Sequence, residues 1–456
     1  MRKVPVKELF ILDKPEISDI TKQELLDFNR RYQNRILRYF AELRIRFEAE
    51  FPGISFPGLF AEVDSISGET RPLSEQRAWS WGDCRGLGIW SYFIVKGVIP
   101  DELFSIHGKS LNLLSFYKKY CDMIYENLIK RYKKNDGQFP FLVDIRTNLA
   151  SDDPRNVPAE EGHLEPGHVF ASAGISQYGI LKKDNEIFDM GLKLLEETFD
   201  CGINFANVDH ITKKCSGLHS EGFLMVTLGA IVDILKCLNR STYKVDPKII
   251  KKLISKGHRI LNYILEFHFD HKNGKLWEYN TLDGKPFINE KGHWICDPGH
   301  TAEFCGFASE FCDISGDKRI VPELIKILSF INENAYSPVG LMYKNIDLYS
   351  LCGITDKIGA DGKEYKTAPW WNLRECTSAA MKLYQLSGDK KCLSIYKKAQ
   401  NATYLNYPNQ NIGGLMVQTL DAETLRPLPF HPATGNLDPM HCPRAREREI
   451  EALELL

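Results

Sequence analysis

Two histidines of the sequence stand beside a proline at the predicted start of a helix. His300 follows an Asp-Pro-Gly turn, and Glu303 lies three residues further along the same helical face. His441 has a similar setting, with a proline two residues later and Arg444 one turn away. An imidazole exchanges a proton near neutral pH, so both segments predict general acid–base chemistry.

Two aromatic segments are candidates for binding a substrate. Arg85 lies among tryptophans, an arrangement typical of sugar sites, where rings stack on the sugar and hydroxyls need donors. A structural arginine in cation–π contact explains the same residues. Trp371 belongs to a Trp-Trp pair after a proline, and Glu375 lies on its helical face. Adjacent tryptophans are more often core residues, so this segment carries two interpretations.

No metal site is predicted. The His300-x-x-Glu303 spacing supplies only two ligands, and structural or catalytic zinc needs at least three from the protein. The 12 cysteines are scattered and contain no C-x-x-C pair. We therefore interpret them as reduced thiols, mostly small apolar side chains of helices in a reducing compartment.

The elements that must position these residues are helices. Apolar residues recur every three or four positions in twelve segments, which is the period of an amphipathic helix. The predicted segments cover about 21–49, 84–96, 109–133, 168–182, 186–199, 219–238, 248–268, 300–314, 320–334, 371–386, 389–403 and 441–455. Strand patterns occur only in connections: a hairpin over 275–290 turning at Asp283-Gly284, and a weaker one near 415–428.

Every second helix opens with a polar or aromatic residue. These residues are Arg85, His168, His219, His300, Trp371 and His441, spaced about 71 residues apart on average. One helix pair fits in each interval, which predicts an all-α fold: a single-domain (α/α)6 barrel over residues 1–456, with long loops and short hairpins at the mouth.

In such a barrel the starts of the six inner helices converge at one mouth. Their unpaired N–H groups give that mouth a partial positive charge. We expect this charge to suit an anionic intermediate and to lower the pKa of nearby histidines. On the last helix we expect Arg446 and Arg448 to lie on the solvated face.

Composition and charge exclude several classes of protein. The 456 residues hold 58 Lys and Arg against 60 Asp and Glu, a net charge of -2. This balance leaves no excess of positive charge for binding nucleic acid or an anionic membrane. No apolar run is long enough to span a bilayer. Glu8 and Asp13 interrupt the place where a signal peptide needs an apolar core, so we expect a cytoplasmic protein.

Together these motifs resemble the N-acylglucosamine 2-epimerase family. The resembling segments are Pro298-Gly299-His300-x-x-Glu303, Pro369-Trp370-Trp371-x-x-x-Glu375, His441-x-Pro443-Arg444, Arg85-x-x-x-x-Trp90 and Asp136–Phe141. His219 resembles the M-H-x-x-E histidine of cellobiose epimerases and aldose–ketose isomerases, although Glu221 follows at i+2 instead of i+3. The sequence therefore combines markers of two branches of one superfamily.

The resemblance implies an (α/α)6 barrel that epimerises or isomerises a small reducing sugar. It assigns His300 and His441 as the acid–base pair. It assigns substrate binding to Arg85, His219, Glu303, Trp371, Glu375 and Arg444. The implied reaction is GlcNAc/ManNAc interconversion through an enediolate, or else aldose–ketose isomerisation or cellobiose epimerisation. It needs no cofactor. Some members are activated by nucleotide, though no phosphate loop is found here, and a homodimer is a family expectation.

Two hypotheses that assign the chain a different kind of function remain open. An (α/α)6 glycoside hydrolase would need carboxylates at the helix mouths, for which Asp83 and Glu375 are candidates. That reading leaves the histidines without a role. A carbohydrate-binding barrel without turnover is the second, and the altered surroundings of His219 are compatible with it.

Overall fold

A computed structural model describes most of the chain. The described residues are 22–52, 54, 63–64, 66–106, 109–152, 156, 166–204, 218–359, 362–412, 415–428 and 440–456. The predicted helix start at Thr21, residues 8 and 13 of the signal-peptide argument, and Cys215 lie outside them.

The described residues form twelve α-helices at the positions that the periodicity predicts. They are α1 (Lys22–Glu50), α2 (Ser80–Lys96), α3 (Leu113–Lys134), α4 (Pro166–Lys182), α5 (Asn185–Asn204), α6 (Glu221–Arg240), α7 (Pro247–Phe267), α8 (Pro298–Ser315), α9 (Val321–Asn334), α10 (Trp370–Ser387), α11 (Lys390–Asn406) and α12 (Ala445–Leu455). A π-helical turn over Met440–Arg444 leads into α12.

The even-numbered helices form an inner ring. Consecutive members pack on one another from α2 through α4, α6, α8 and α10 to α12, and each outer helix packs on an inner one. The ring closes between its ends, where Lys96 of α2 lies 2.9 Å from Glu451 of α12 and also contacts Glu447. The predicted (α/α)6 barrel is confirmed.

The core lies between the two rings as well as inside the inner one. Trp90 of α2 is fully buried and packs edge-on against Phe40 of α1, with Tyr117 of α3 at 4.9 Å. Inner helices approach closely where a glycine allows it. A Cβ on Gly174 of α4 would lie 2.4 Å from the Cys84 carbonyl oxygen of α2. Small residues therefore set the diameter of the inner ring.

Within the described residues, seventeen short strands occupy the connections. They are β1 (Arg77–Trp79), β2 (Leu103–Ile106), β3 (Lys109–Asn112), β4 (Leu142–Asp144), β5 (Leu218–Ser220), β6 (Phe269–Asp270), β7 (Lys275–Leu276), β8 (Tyr279–Thr281), β9 (Ile295–Cys296), β10 (Ile346–Asp347), β11 (Cys352–Gly353), β12 (Lys357–Ile358), β13 (Glu364–Tyr365), β14 (Thr367–Pro369), β15 (Pro408–Asn409), β16 (Leu415–Met416) and β17 (Thr419–Asp421).

Four of the strand pairs, which we call clasps, lie at the starts of inner helices. The strands β1, β5, β9 and β14 lead directly into α2, α6, α8 and α10, and they pair antiparallel with β4, β8, β10 and β17 respectively. Each partner strand follows the next outer helix of the chain. The clasp therefore ties the exit of an outer helix to the start of the inner helix before it, and fixes the first turn at the mouth.

The predicted hairpins are confirmed, and each has a second pairing that the sequence did not predict. Gly284 adopts a φ of +78° in a turn where its N–H donates to the Thr281 carbonyl. The strand before this turn, β8, bridges the residues after the turn at Asn280 and Pro286, and it also pairs with β5. Likewise β17 bridges the residues that follow it, at Leu420 and Pro427, and also pairs with β14, which lies before α10. Period-two patterns identify strands but not partners that are far apart in sequence.

The cysteines of the described residues are mostly buried. Cys352 is exposed, whereas the other ten are buried. Among the described helices, none is both long and apolar enough to cross a membrane.

Candidate active site

His300 is held at the start of α8 by its own turn. The Asp297 carboxylate caps the helix, accepting hydrogen bonds from the N–H groups of Gly299 at 2.9 Å and His300 at 3.2 Å. Lys344, in the loop after α9, pairs with the second oxygen of Asp297. The cap, the β9 strand and Lys344 together fix the backbone from which the imidazole extends.

The hydrogen-bond partner of the His300 ring is Glu278, which the sequence analysis missed. Nδ1 lies 3.1 and 3.0 Å from the two Glu278 carboxylate oxygens and 3.5 Å from Asp297 Oδ2. Glu303, on the same helical face, forms no hydrogen bond with this ring among the described residues, but it interacts electrostatically with His300. Glu278 precedes β8 in a loop between helices, and its place between Trp277 and Tyr279 in the predicted hairpin was the available signal.

The electrostatics of His300 also differ from the expectation. Burial opposes the charged form, but Asp297 and Glu278 outweigh burial and raise the pKa of His300 to about 10. We expected helix N-termini to lower it. The cap explains the difference, because Asp297 neutralises the partial positive charge of the first turn and adds a full negative charge beside the ring.

His441 has a carboxylate partner of its own, Glu375. The His441 Nδ1 lies 3.0 Å from Glu375 Oε1, and Arg448 Nη1 lies 3.0 Å from Glu375 Oε2. Burial raises the pKa of Glu375, but its hydrogen bond to His441 and the charge of Arg448 outweigh burial and lower it to about 2. A permanently ionised carboxylate therefore faces the His441 ring.

Trp371 joins the two histidine–carboxylate pairs. Its indole stacks on His441 with 4.8 Å between ring centroids and 23° between planes, and the His300 centroid lies 5.8 Å from it. The two imidazoles are therefore no more than 10.6 Å apart. His300 keeps 29% of its side chain exposed, so solvent reaches this group of rings.

Glu303 lies on the His441 side of the site. One of its oxygens lies within 4.8 Å of ligand atoms of Glu375 and His441, and the side chain is buried. Burial, followed by the charge of Glu375, raises the pKa of Glu303. The structure thus brings together five predicted residues: His300, Glu303, Trp371, Glu375 and His441.

Arg85 and Arg444 are packed into the barrel interior. The Arg85 guanidinium lies 4.0 Å from the Phe170 ring centroid and 5.4 Å from that of Trp81, as the cation–π alternative predicts. Arg444 binds Asp233 with two nitrogens, at 3.0 and 2.7 Å, and is 4% exposed. Electrostatic contact with Asp233 outweighs burial and raises the already high pKa of Arg444.

The expectation that Arg446 and Arg448 lie on a solvated face is wrong. Both are buried, at 2% and 1% exposure. Arg448 bridges Glu375 and Glu310, and Arg446 donates to Asn29 and Tyr404. The reason is that α12 is a member of the inner ring and is enclosed on all sides, so its charged residues find partners on neighbouring helices.

His219 is not brought to this site by any contact of the described residues. It belongs to β5, directly before α6, and its ring packs on Tyr263 of the outer helix α7 at 5.7 Å. Burial lowers its pKa. Because side chains alternate along a strand, Ser220 faces the other way, with its hydroxyl 3.4 Å from Glu278. A role of His219 in substrate binding stays a prediction.

Glu221 is a further residue that the sequence analysis did not assign. It begins α6, is fully buried, and its N–H donates to the Glu278 carbonyl at 2.8 Å. Burial and the charge of Glu278 raise its pKa well above the usual range. The departure from M-H-x-x-E noted in the sequence thus moves a carboxyl group next to His300.

Solved structures of the same fold come from sugar enzymes. A cellobiose 2-epimerase from Bacillus thermoamylovorans superposes with a TM-score of 0.65 at 14% identity, over 91% of this chain and 98% of its own. A D-mannose isomerase gives 0.64 at 14% identity, over 93% and 97%. A GH76 α-mannanase from Bacteroides thetaiotaomicron gives 0.53 at 10% identity, over 95% and 97%. No curated protein matches the sequence at a significant level.

Part of the sequence also resembles a known family. Residues 250–433 match the family model described as N-acylglucosamine 2-epimerase (GlcNAc 2-epimerase), a region that includes His300 and Trp371 and ends before His441. This match agrees with the resemblance that the sequence motifs indicated, and the fold is similar to that of a cellobiose 2-epimerase and a mannose isomerase.

Proposed function

We propose that the chain is a sugar 2-epimerase that interconverts N-acetylglucosamine and N-acetylmannosamine by removing and returning the proton at C2. The observation that carries the proposal is the pair of histidines at the mouth. Each is held through Nδ1 by a buried carboxylate, and both lie against Trp371. The arrangement supplies two acid–base groups for one small substrate.

The orientation of the two rings leaves the same nitrogen for the substrate. Nδ1 of each histidine faces its carboxylate, so Nε2 is the nitrogen that meets the sugar. One ring removes the C2 proton from the open-chain sugar, and the other returns a proton to the opposite face. The buried carboxylates fix ring orientation and tautomer, as a triad aspartate does for its histidine.

Negative charge develops on the sugar oxygens when the C2 proton leaves. Lys344, which also pairs with Asp297, lies beside this group of rings, with Nζ 4.6 Å from the Trp371 ring centroid. Arg85 and Arg444 are the cations that the resemblance implies. Arg444 is paired with Asp233, and Arg85 interacts electrostatically with Glu303. Lys344 and the imidazolium formed during the reaction are the groups to which we assign stabilisation of the anion, which is an enolate for a 2-acetamido sugar and an enediolate for a 2-hydroxy sugar.

The substrate assignment rests on the family model, whose description names GlcNAc. The alternatives are an aldose–ketose isomerase and a cellobiose- or mannose-type epimerase, since the solved structures of this fold include a mannose isomerase and a cellobiose epimerase. Epimerisation and aldose–ketose isomerisation differ only in whether the proton is returned to C2 or to C1. The reaction moves a proton without net oxidation and uses no redox cofactor.

Proton NMR in D2O tests the proposal directly. The protein is incubated, with and without ATP, with GlcNAc, ManNAc, glucose, mannose, fructose and cellobiose. Loss of the C2 proton of GlcNAc with appearance of ManNAc is expected, and a ketose product would establish the isomerase instead. The variants His300→Ala and His441→Ala should each abolish exchange while keeping the circular dichroism spectrum.

Two results would contradict the proposal. One is exchange that persists in the double variant. The other is silence across the whole panel in both conditions; if sugars bind to the silent protein in calorimetry, a non-catalytic binding barrel becomes the better account.

A further inference from the structure

Three ligand-type side chains meet beside the mouth. One oxygen of Glu221, one oxygen of Glu278 and a ring nitrogen of His300 all lie within 4.8 Å of one another. They come from the start of α6, the loop before β8 and the first turn of α8. The backbone makes room for them at Gly222, where a Cβ would lie 2.8 Å from Glu278 Oε1 and 3.0 Å from His300 Nδ1.

The Glu221 carboxyl group has no partner of its own. The residue is 0% exposed, and among the described residues neither carboxylate oxygen has a hydrogen-bond partner. A buried carboxylate without a donor is strongly disfavoured, and such groups in folded proteins are paired, protonated or bound to a metal. Glu221 therefore points to a missing proton or cation.

The charges around Glu221 favour a cation. Three carboxylates, those of Glu221, Glu278 and Asp297, are buried together. Lys344 pairs with Asp297, and in the described part of the chain no lysine or arginine forms an ion pair with Glu221 or Glu278. Among the described residues, His300 is the group that offers a positive charge to these two carboxylates by direct contact.

A second group of the same composition shows the contrast. Glu303, Glu375 and His441 also lie within 4.8 Å of one another. There Arg448 Nη1 lies 3.0 Å from the second oxygen of Glu375, so a guanidinium already supplies positive charge and repels another cation. The Glu221 group lacks such an arginine within the described ranges.

We propose that Glu221, Glu278 and His300 form a binding site for a divalent transition-metal ion of the Zn²⁺ or Co²⁺ type. One imidazole and two carboxylates are three of the four ligands such an ion takes, with water as the fourth. Calcium and magnesium prefer oxygen ligands alone. The sequence predicted no metal because it considered His300-x-x-Glu303, whereas the fold supplies ligands from two other elements.

Metal binding has a consequence for catalysis that rests on the proposed function. An ion on His300 removes that ring from proton transfer, so the site is inhibitory. Binding itself is measured without sugar, and its failure is therefore separate from failure of the proposed reaction.

Cobalt titration of the metal-free protein tests the site. A Cys215→Ser/Cys352→Ser background removes the exposed thiol and the cysteine outside the described residues, and any thiolate-to-cobalt charge-transfer band would reveal another cysteine. We expect one Co²⁺ per chain with the visible absorption of a four- or five-coordinate ion, and one Zn²⁺ per chain in calorimetry.

Matched variants distinguish the two groups. Glu221→Gln should weaken Co²⁺ binding by more than about 100-fold. Loss of a residue that only hydrogen-bonds a metal ligand already lowers metal affinity by up to about 100-fold, and loss of a direct ligand should lower it at least as much. Glu303→Gln, from the other group, should leave binding unchanged. Glu278→Gln serves if Glu221→Gln does not fold by circular dichroism. No absorption and no heat, equal binding by Glu221→Gln, or loss of binding in Glu303→Gln would each overturn the proposal.

Discussion

At the scale of single residues, the site consists of two histidines whose orienting carboxylates come from elsewhere in the chain. Glu278 lies 22 residues before His300, and Glu375 lies 66 residues before His441. Neither carboxylate is the one that helical spacing nominates. A histidine motif therefore identifies the imidazole, while packing decides which acid fixes its tautomer.

Glu375→Gln should lower kcat by about 100-fold or more with little change in KM. The amide keeps the shape but removes the negative charge that fixes the His441 tautomer, an effect known to be large in histidine–aspartate pairs. Steady-state kinetics with the substrate found by NMR measures the two constants separately.

Ser378→Ala is the matched control for Glu375→Gln. Ser378 Oγ lies 3.0 Å from the same Arg448 nitrogen but does not touch His441. Equal losses of kcat in the two variants would show that Glu375 acts only through the stability of the buried network.

His268 predicts a pH dependence of stability. Its Nδ1 lies 3.0 Å from the Trp277 carbonyl oxygen, and burial lowers the pKa of His268 to about 4 despite that hydrogen bond. In the unfolded chain the ordinary pKa is about 6.5, so between these values the unfolded state binds more protons. The free energy of unfolding should therefore fall by about 2 kcal/mol from pH 7 to pH 5 through this residue.

Urea unfolding at both pH values measures that loss. His268→Gln should show a smaller decrease than the parent, whereas His293→Gln, which changes a partly exposed histidine, should retain the decrease. An identical decrease in all three proteins would show that His268 does not titrate in this range.

At the scale of elements, the same type of turn occurs in five loops. In Asp64–Gly68, Asp144–Asn148, Asp270–Gly274, Asp347–Leu351 and Asp421–Leu425, the N–H of the last residue donates to the carbonyl of the aspartate. The aspartate carboxylate accepts from the N–H groups two and three residues on, and the last residue has a positive φ. Three of these turns follow clasp strands, so one local device helps to position the mouth.

Leu425→Asn should stabilise the protein by about 1 kcal/mol. Leu425 has a φ of 63° and is 40% exposed. The left-handed conformation is unfavourable for a leucine, and the limited burial of its side chain offsets little of that cost. Asparagine tolerates that conformation better. Denaturant midpoints and the melting temperature measure the change.

Leu282→Asn provides the comparison for this turn. Leu282 is 64% exposed in the loop that follows β8 and has no positive φ. If Leu282→Asn and Leu425→Asn raise the free energy of unfolding equally, the effect comes from replacing an exposed apolar side chain and not from the backbone conformation.

At the scale of the whole molecule, buried ion pairs connect the inner helices. Arg444 of the π-helical turn pairs with Asp233 of α6, and Arg448 of α12 pairs with Glu310 of α8 and Glu375 of α10. Lys236 of α6 contacts Glu310 and lies 2.6 Å from Glu451. The last helix and the turn before it are thus joined to α6, α8 and α10 by buried ion pairs.

Arg448→Met should cost about 3–5 kcal/mol of unfolding free energy. The substitution keeps the volume but leaves Glu310 and Glu375 buried with fewer counter-charges. Arg30→Met removes an exposed pair, with Glu454, and should cost no more than about 1 kcal/mol. Urea titration followed by circular dichroism compares them, and equal costs would mean that the inner network contributes no more than a surface pair.

The sequence by itself determined the twelve helices, their arrangement in pairs and the two histidine segments. These features are local, because apolar residues every 3.6 positions and Pro-Gly turns act within one or two helical turns. The tertiary structure decided which residues meet. Glu278 on His300, Arg448 inside the ring and His219 against α7 depend on contacts between distant elements, and a charged residue has the same local pattern whether water or a buried partner satisfies it.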